Sequence, residues 1–303
     1  MKDLFQLSEQ LDELENLRKA VLRSLAFMAV LEVLAWAAVL AAIHFDVYLP
    51  RIAFYIPAAP LSMGFTLQFD RRRYKKKYNS LIVRQALERY FEIREFNSDY
   101  GIPYGTIKST GLLRECNKYL ANDYLSGSYK DIDFVQSDVQ MTLQNSVFQK
   151  ANVTMFKGRW MVFEFNKHFV CDMLVYEKSF RYAKHSEGLF SGEGRLERVE
   201  TENVAFNEHF KVYAQNTVEA FYLLSPQIID KLEEIRQNIR GDLILIFHNS
   251  HLHIGVNNFR DAFEPPVFSK IDVNTVMAGI DDDIGLITAL ADMLRLDRKV
   301  YKI

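Results

Sequence analysis

Cysteine is close to absent. Cys116 and Cys171 are the only two, they lie far apart, and neither belongs to a CxxC pair. That excludes a disulfide framework and fits a reducing compartment. An excess of one charge sign is missing too: the net charge is −2, although 25% of residues are charged. General nucleic-acid binding is not expected of that balance, because the basic residues are concentrated in one run instead of covering a face. No HExxH, no GxSxG and no phosphate-loop ending GKS or GKT occurs. The usual signatures of a zinc hydrolase, a serine nucleophile and a P-loop are therefore lacking. No internal repeat is present.

What is there is local. Two apolar stretches stand back to back near the N-terminus, Leu25–Ile43 and Ile52–Leu67, and Arg71-Arg72-Arg73-Tyr74-Lys75-Lys76-Lys77 follows. A spanning helix needs about 20 apolar residues at about 1.5 Å each. The first stretch nearly meets this with one charge, Glu32; the second is shorter and is interrupted by Pro57 and Pro60. The expectation is a two-helix transmembrane hairpin with a kinked second span. Arg18, Lys19 and Arg23 precede the first span, Arg51 alone stands in the connecting loop, and six basic residues follow the second. Positive charge stays on the cytoplasmic side, which places both termini there. The acids Asp12, Glu13 and Glu15 ahead of Leu25 are unlike a cleaved leader.

Two polar features of the anchor are expected to matter. A charge at mid-span costs about 2.5–3.5 kcal/mol, so Glu32 is expected to face protein or to be protonated, within reach of Ser62 or a carbonyl freed by Pro60. Arg71, Arg72, Arg73, Lys75, Lys76 and Lys77 set topology and are expected to contact anionic lipid. Ahead of the span, Leu4, Leu7, Leu11, Leu14 and Val21 recur at spacings of three and four, skipping Arg18. That apolar seam leaves two outcomes open, pairing with a second copy or packing on the chain's own cytoplasmic part.

The remainder reads as an α+β cytoplasmic domain with a curved antiparallel sheet and packed helices. A helix is expected from Tyr78 to about Glu95, and a short one capped by Ser109 or Thr110 and ending near Tyr119. Val139, Met141 and Leu143 alternate with Asp138, Gln140, Thr142 and Gln144, one face on a core and one wet. Lys157-Gly158 reads as a turn between strands. Runs follow at Phe169–Tyr176, Leu196–Val199 and Phe210–Ala214. Ser225-Pro226 starts a helix whose stripe is Ile228, Leu232, Ile235 and Ile239. Leu243–Phe247 and His251–Val256 flank the turn Asn249-Ser250. A last helix is expected from Asp281-Asp282-Asp283 to about Leu296. The boundaries are 1–24 amphipathic helix, 25–69 hairpin, 70–98 basic juxtamembrane helix and 99–303 cytoplasmic domain.

Leu196-Glu197-Arg198-Val199-Glu200, Phe206, Phe210-Lys211-Val212-Tyr213, Glu219-Ala220, Leu223-Leu224-Ser225-Pro226 and Phe263-Glu264-Pro265 carry a resemblance. The chain resembles a bacterial membrane-anchored family catalogued as domain of unknown function 3137, over about Thr110 to Phe268. The resemblance implies a bacterial inner-membrane setting and supplies no catalytic residues or ligand.

Candidate chemistry is sparse. His248, His251 and His253 form the one metal-like cluster, with Asp242 or Asp261 as candidate oxygen donors. Three histidines on one hairpin do not close a site by themselves, so no metal ligand, cofactor or catalytic residue is assigned. The aspartate triplet lacks EF-hand spacing and suits a helix N-terminus. Gly188-Leu-Phe-Ser-Gly-Glu-Gly194 reads as a glycine-rich loop. Cys171 and His168, three apart on a strand pattern, project to opposite faces. Trp160 and the phenylalanines read as core. The expected function is a membrane-tethered interaction or scaffold module with a protein partner. Two alternatives stand beside it: a metal-dependent enzyme using the histidine hairpin, and an oligomeric channel or transporter component centred on Glu32.

Overall fold

A computed structural model describes residues 2–45, 65–144, 152–164, 172–183 and 196–300. They fall into two compact units, Met1–Gln85 with Glu264–Ala278, and Ala86–Phe263 with Gly279–Ile303.

In the first unit, α1 (Lys2–His44) runs unbroken across the expected boundary between an amphipathic helix and a first span. It is long and apolar enough to cross a membrane, with a mean hydropathy of 2.3 over its most apolar window. The apolar seam does not stop at Val21. Positions 11, 14, 18, 21, 25, 28, 32, 35, 39 and 42, spaced alternately by three and four, are all buried or half-buried. Phe27, Val33, Leu34 and Leu40 between them are 59–67% exposed. Such a 3–4 repeat keeps one stripe of a helix turned to its neighbour. Of the second apolar stretch, residues 52–64 lie outside the described residues, Pro57, Pro60 and Ser62 included, and so does Arg51.

The neighbour that is described is α2 (Phe65–Tyr78). Ser24 donates to Asp70 at 2.6 Å, and Lys77 pairs with Glu13 at 2.7 Å. The two contacts run in opposite chain directions, so α1 and α2 lie antiparallel. The expected helix from Tyr78 to about Glu95 forms only as far as Leu87. A π-helical turn (Asn79–Val83) and the short α3 (Arg84–Leu87) end the helical path, and β1 occupies Glu92–Asn97.

The second unit is built on one antiparallel sheet. After β1 come α4 (Tyr104–Lys108), β2 (Lys118–Tyr129), β3 (Ile132–Leu143), β4 (Val153–Glu164) and β5 (Met173–Glu177). Then follow β6 (Glu197–Val199), α5 (Val204–His209), β7 (Phe210–Ala214), α6 (Thr217–Leu223), α7 (Pro226–Asn238), β8 (Asp242–His248), β9 (His251–Asn257) and α8 (Val273–Val300). The strand order is β1-β2-β3-β4-β9-β8-β5-β7-β6. Register shifts interrupt the pairing at Ile93/Glu95, Asn122/Leu125 and Met141/Thr142. Each extra residue bends its strand and raises its twist, which curves the sheet.

Four expectations change. The short helix is Tyr104–Lys108, and β2 begins where it was expected to end. Lys157-Gly158 is not a turn: β4 passes straight through it. The expected wet face of β3 is covered over much of its length: Asp138 and Thr142 are buried and Gln140 half-buried, while Gln144 is exposed. The sheet is covered on both sides. On one side Ile102, Ile107, Leu112 and Leu113 join Trp160, Val162 and Ile246 in a core. The other side faces α8, since Arg159 of β4 reaches Asp283. Finally, α8 starts eight residues before the aspartate triplet, so the triplet lies inside a helix and not at its N-terminus.

Candidate functional site

Continuous apolar sequence makes Leu243–Phe247 a central strand, and all five residues are buried. Asn249, at φ +53, takes the left-handed conformation that asparagine tolerates and turns β8 into β9. Register then sets the histidines. His248 stands opposite His251, and His253 lies between Ile246 of β8 and Val162 of β4. Period-two alternation puts all three on the face of the sheet that carries Trp160.

The three rings have different environments. His253 is 3% exposed. Burial, with smaller effects from His251 and His248, pushes its pKa down to about 3. The ring is therefore neutral. Trp160 Nε1 donates to its Nδ1 at 3.4 Å. An indole N–H can only donate, so the ring proton of His253 sits on Nε2. His248 has the opposite tautomer. Its Nδ1 meets Asp172 at 2.8 Å and its Nε2 meets the Asn249 amide nitrogen at 3.0 Å. The amide nitrogen donates, so Nε2 accepts and Nδ1–H points to the carboxylate. His251 is exposed, its ring centroid 6.4 Å from that of His253.

These rings line a pocket of about 460 Å³ together with Val135, Val162, Glu164, Thr106 and Ser109. Arg94 and Asp133, also in its wall, form an ion pair. Among the described residues, no group of three or more His, Cys, Asp or Glu is arranged to hold a metal ion. The two aspartates proposed as oxygen donors are engaged elsewhere. Asp242 accepts from Ser179 and Asn257, and Asp261 pairs with Lys157 at 3.5 Å. Ser109 is no nucleophile in waiting, because its hydroxyl donates to the Thr106 carbonyl at 3.0 Å. The arrangement is equipped to bind, with one neutral donor and one carboxylate-backed imidazole. Cys171, His168 and the glycine-rich loop 188–194 lie outside the described residues. Cys116 is half-buried, its backbone N–H donated to the Tyr104 hydroxyl at 3.1 Å.

In the first unit the basic run divides. Lys75 pairs with Glu264 and Lys77 with Glu13. Arg71, Arg72, Arg73 and Lys76 are exposed, Arg73 lying 5.5 Å from the centre of the Phe69 ring. Arg18, which the apolar pattern skips, is 5% exposed. It donates to Glu15 at 2.6 and 2.8 Å and to the Val267 carbonyl at 2.8 Å. The Arg18 hydrogen bonds lower the pKa of Glu15, and Glu15 in turn raises that of Arg18. Glu32 Oε1 accepts from Trp36 Nε1 at 3.1 Å. Its Oε2 is buried without a hydrogen-bond partner among the described residues. Ser62, the expected partner, lies outside them.

Sequence reasoning missed Asp172, which orients His248, and Arg159, which is 5% exposed in β4. Asp172 had no motif to mark it. An arginine amid Trp160-Met161-Val162-Phe163 was a usable signal for a buried charge that needs an acid.

No curated protein matches the chain. The crystal structure of the mycobacterial trehalose monomycolate transport factor A, TtfA, aligns over 73% of this chain and 94% of that one, at 9% identity and a TM-score of 0.37. A likeness that low carries no conclusion. Residues 154–296 match the family described as "Protein of unknown function (DUF3137)", a stretch that begins and ends later than the expected Thr110–Phe268. Over those residues the resemblance carried by Leu196–Glu200, Phe210–Tyr213, Leu223–Pro226 and Phe263–Pro265 is borne out, and the chain is similar to DUF3137 there.

Proposed function

We propose that the chain is a membrane-tethered cytoplasmic interaction module. The observation that carries this reading is the outer face of α1. Phe27, Val33, Leu34, Leu40 and Ile43 are each more than half exposed. Each such side chain gains about 1.5–3 kcal/mol on leaving water, and a contiguous apolar face of that kind calls for lipid or protein. In the full proposal the stretch 52–67 supplies a second span, both termini are cytoplasmic, and the membrane is a bacterial inner membrane. Arg71, Arg72, Arg73 and Lys76 would meet anionic headgroups, with Lys75 and Lys77 holding the helix in place through their acids. A protein partner is supported by α6, where Val218, Phe221 and Tyr222 are 46–65% exposed. At spacings of three and four they share one stripe.

Membrane fractionation tests the tether. The full chain is expected to pellet with membranes and resist carbonate extraction, and Leu34→Lys with Leu40→Lys is expected to release it. A wild-type chain that stays in the soluble fraction ends the reading. For the partner, a photo-crosslinker at Phe221 is expected to give discrete adducts that one at Glu202 does not.

Glu32 favours a second reading, an oligomeric channel or transporter component, because its Oε2 has no partner among the described residues on the seam of α1. In that reading a group from another copy of the chain would meet the carboxyl. A monomeric mass in mild detergent, or full assembly and function of both Glu32→Gln and Glu32→Leu, counts against it. The metal-dependent enzyme is not carried further, since His253 Nδ1 and both nitrogens of His248 already have partners.

A further inference from the structure

We propose that the histidine pocket is a binding site for an uncharged, carbonyl-bearing small molecule, with the Nε2–H of His253 as the hydrogen-bond donor to the carbonyl oxygen. The proposal does not rest on the tether.

Three observations converge on it. The first is an unspent donor. Trp160 fixes Nδ1 of His253 as an acceptor, which leaves the proton on Nε2, and no described residue accepts it. The side chain is 3% exposed and lines the pocket. Nε2 is not among the described polar atoms buried without a partner, so it opens onto the pocket, where water or a ligand carbonyl can accept its proton. The indole fixes the ring from behind, and β9 allows it to come close. At Gly255 an added Cβ would lie 2.7 Å from the Trp160 ring, so only glycine lets the indole lie there.

The second is the sign of the wall. Arg94 is neutralised by Asp133. Glu164 is exposed in the wall, and Asp172 stands behind His248. Among the described lining residues Arg94 faces two carboxylates, Asp133 and Glu164. A carboxylate or phosphate would meet like charge, whereas a neutral carbonyl would not. The third is size and surface. About 460 Å³ with Val135 and Val162 in the wall falls within the range of small-molecule sites, which are mostly apolar with a few placed polar groups.

Two ring-matched probes separate the chemistry. Saturation-transfer NMR on the full chain in lipid nanodiscs compares benzamide with benzoate, which share shape and differ in charge. Benzamide is expected to bind saturably, with benzoate at least tenfold weaker. His253→Phe removes the donor and is expected to weaken benzamide about tenfold; His253→Gln returns an N–H and is expected to recover most of it. Ser109→Trp, an exposed position in the pocket wall, blocks the site without touching the core and is expected to abolish the signal. That variant keeps the test decisive should His253→Phe fail to fold. Benzoate binding as tightly as benzamide, benzamide binding unchanged by Ser109→Trp, or no binding of either probe each overturns the proposal. None of these outcomes bears on membrane fractionation.

Discussion

Arg159 of β4 grips both the backbone and the side chain of Asp283 in α8. Its Nη1 donates to the Asp283 carbonyl at 2.7 Å and its Nη2 to the carboxylate. The guanidinium also lies 5.6 Å from the centre of the Phe263 ring, and the other carboxylate oxygen accepts the Phe263 N–H at 3.3 Å. One acid thus satisfies a buried cation and anchors a loop.

Asp283→Ala is therefore expected to destabilise the chain by about 3–5 kcal/mol, because it strands a buried guanidinium. Asp281→Ala and Asp282→Ala, at exposed positions, are expected to change stability by less than about 0.5 kcal/mol. Melting temperatures of the three variants check this. Equal effects would restore the view of the triplet as a helix-dipole device.

Arg18 makes the corresponding prediction for the first unit. It replaces an apolar residue in the seam of α1 because Glu15 and the Val267 carbonyl satisfy it. Arg18→Ala is expected to cost about 1–3 kcal/mol through the groups left unsatisfied. The folded-state pKa of Glu15 is depressed. Its contribution is then present above the ordinary carboxylate value and lost as pH falls through the lowered one. Acid melts of wild type and Glu15→Gln are expected to converge at low pH.

The elements legible in the sequence are those whose signal is local. Ser225-Pro226 starts α7 as read, and the apolar run with Asn249-Ser250 gives β8 and β9. β2 was not legible. Lys118–Tyr129 contains Asn122, Asp123, Ser126 and Gly127, all turn or breaker residues, and Asp123 sits at φ +56 beside the bulge. Its strand character comes from pairing with β1 and β3, which no short window displays. The candidate site divides the same way. The spacing of His251 and His253 placed them on one face, but the tautomers depend on Trp160 and Asp172, from other strands and loops. Asp138 was read as surface because charge was taken for exposure, and Arg18 was left out of the apolar seam for the same reason.

Two buried groups give opposite pH limbs. His253 has its pKa lowered to about 3, so its neutral form stabilises the fold above the unfolded value of about 6.5. That contribution is lost as pH falls, about 2 kcal/mol of it by pH 5. Asp138, 3% exposed and accepting the Ala262 N–H at 2.5 Å, has its pKa raised, chiefly by burial. Its contribution is full below the ordinary carboxylate value and is lost as pH rises through the raised one. His253→Gln is expected to flatten the acid limb of a melting-temperature profile, and Asp138→Asn the limb toward alkaline pH. A profile unchanged in either variant would contradict the assigned protonation state of that residue.

Gly158 shows why a turn signal became a strand. Its φ is +151, and an added Cβ would lie 2.1 Å from the Val256 carbonyl oxygen of β9. The Lys157 carbonyl beside it accepts the Phe259 N–H at 2.9 Å, and the Lys157 N–H donates to Asn257 at 3.0 Å. The glycine lets β4 pass against β9 while its neighbour ties down the chain after Asn257. Gly158→Ala must push that backbone away, at an expected cost of about 1–3 kcal/mol. Gly105, in α4, has nothing within 4 Å of an added Cβ. Gly105→Ala is expected to stabilise by about 0.4–1 kcal/mol by restricting the unfolded chain. Denaturation midpoints moving in opposite directions would confirm that close approach of backbones, and not a turn, fixes glycine at 158.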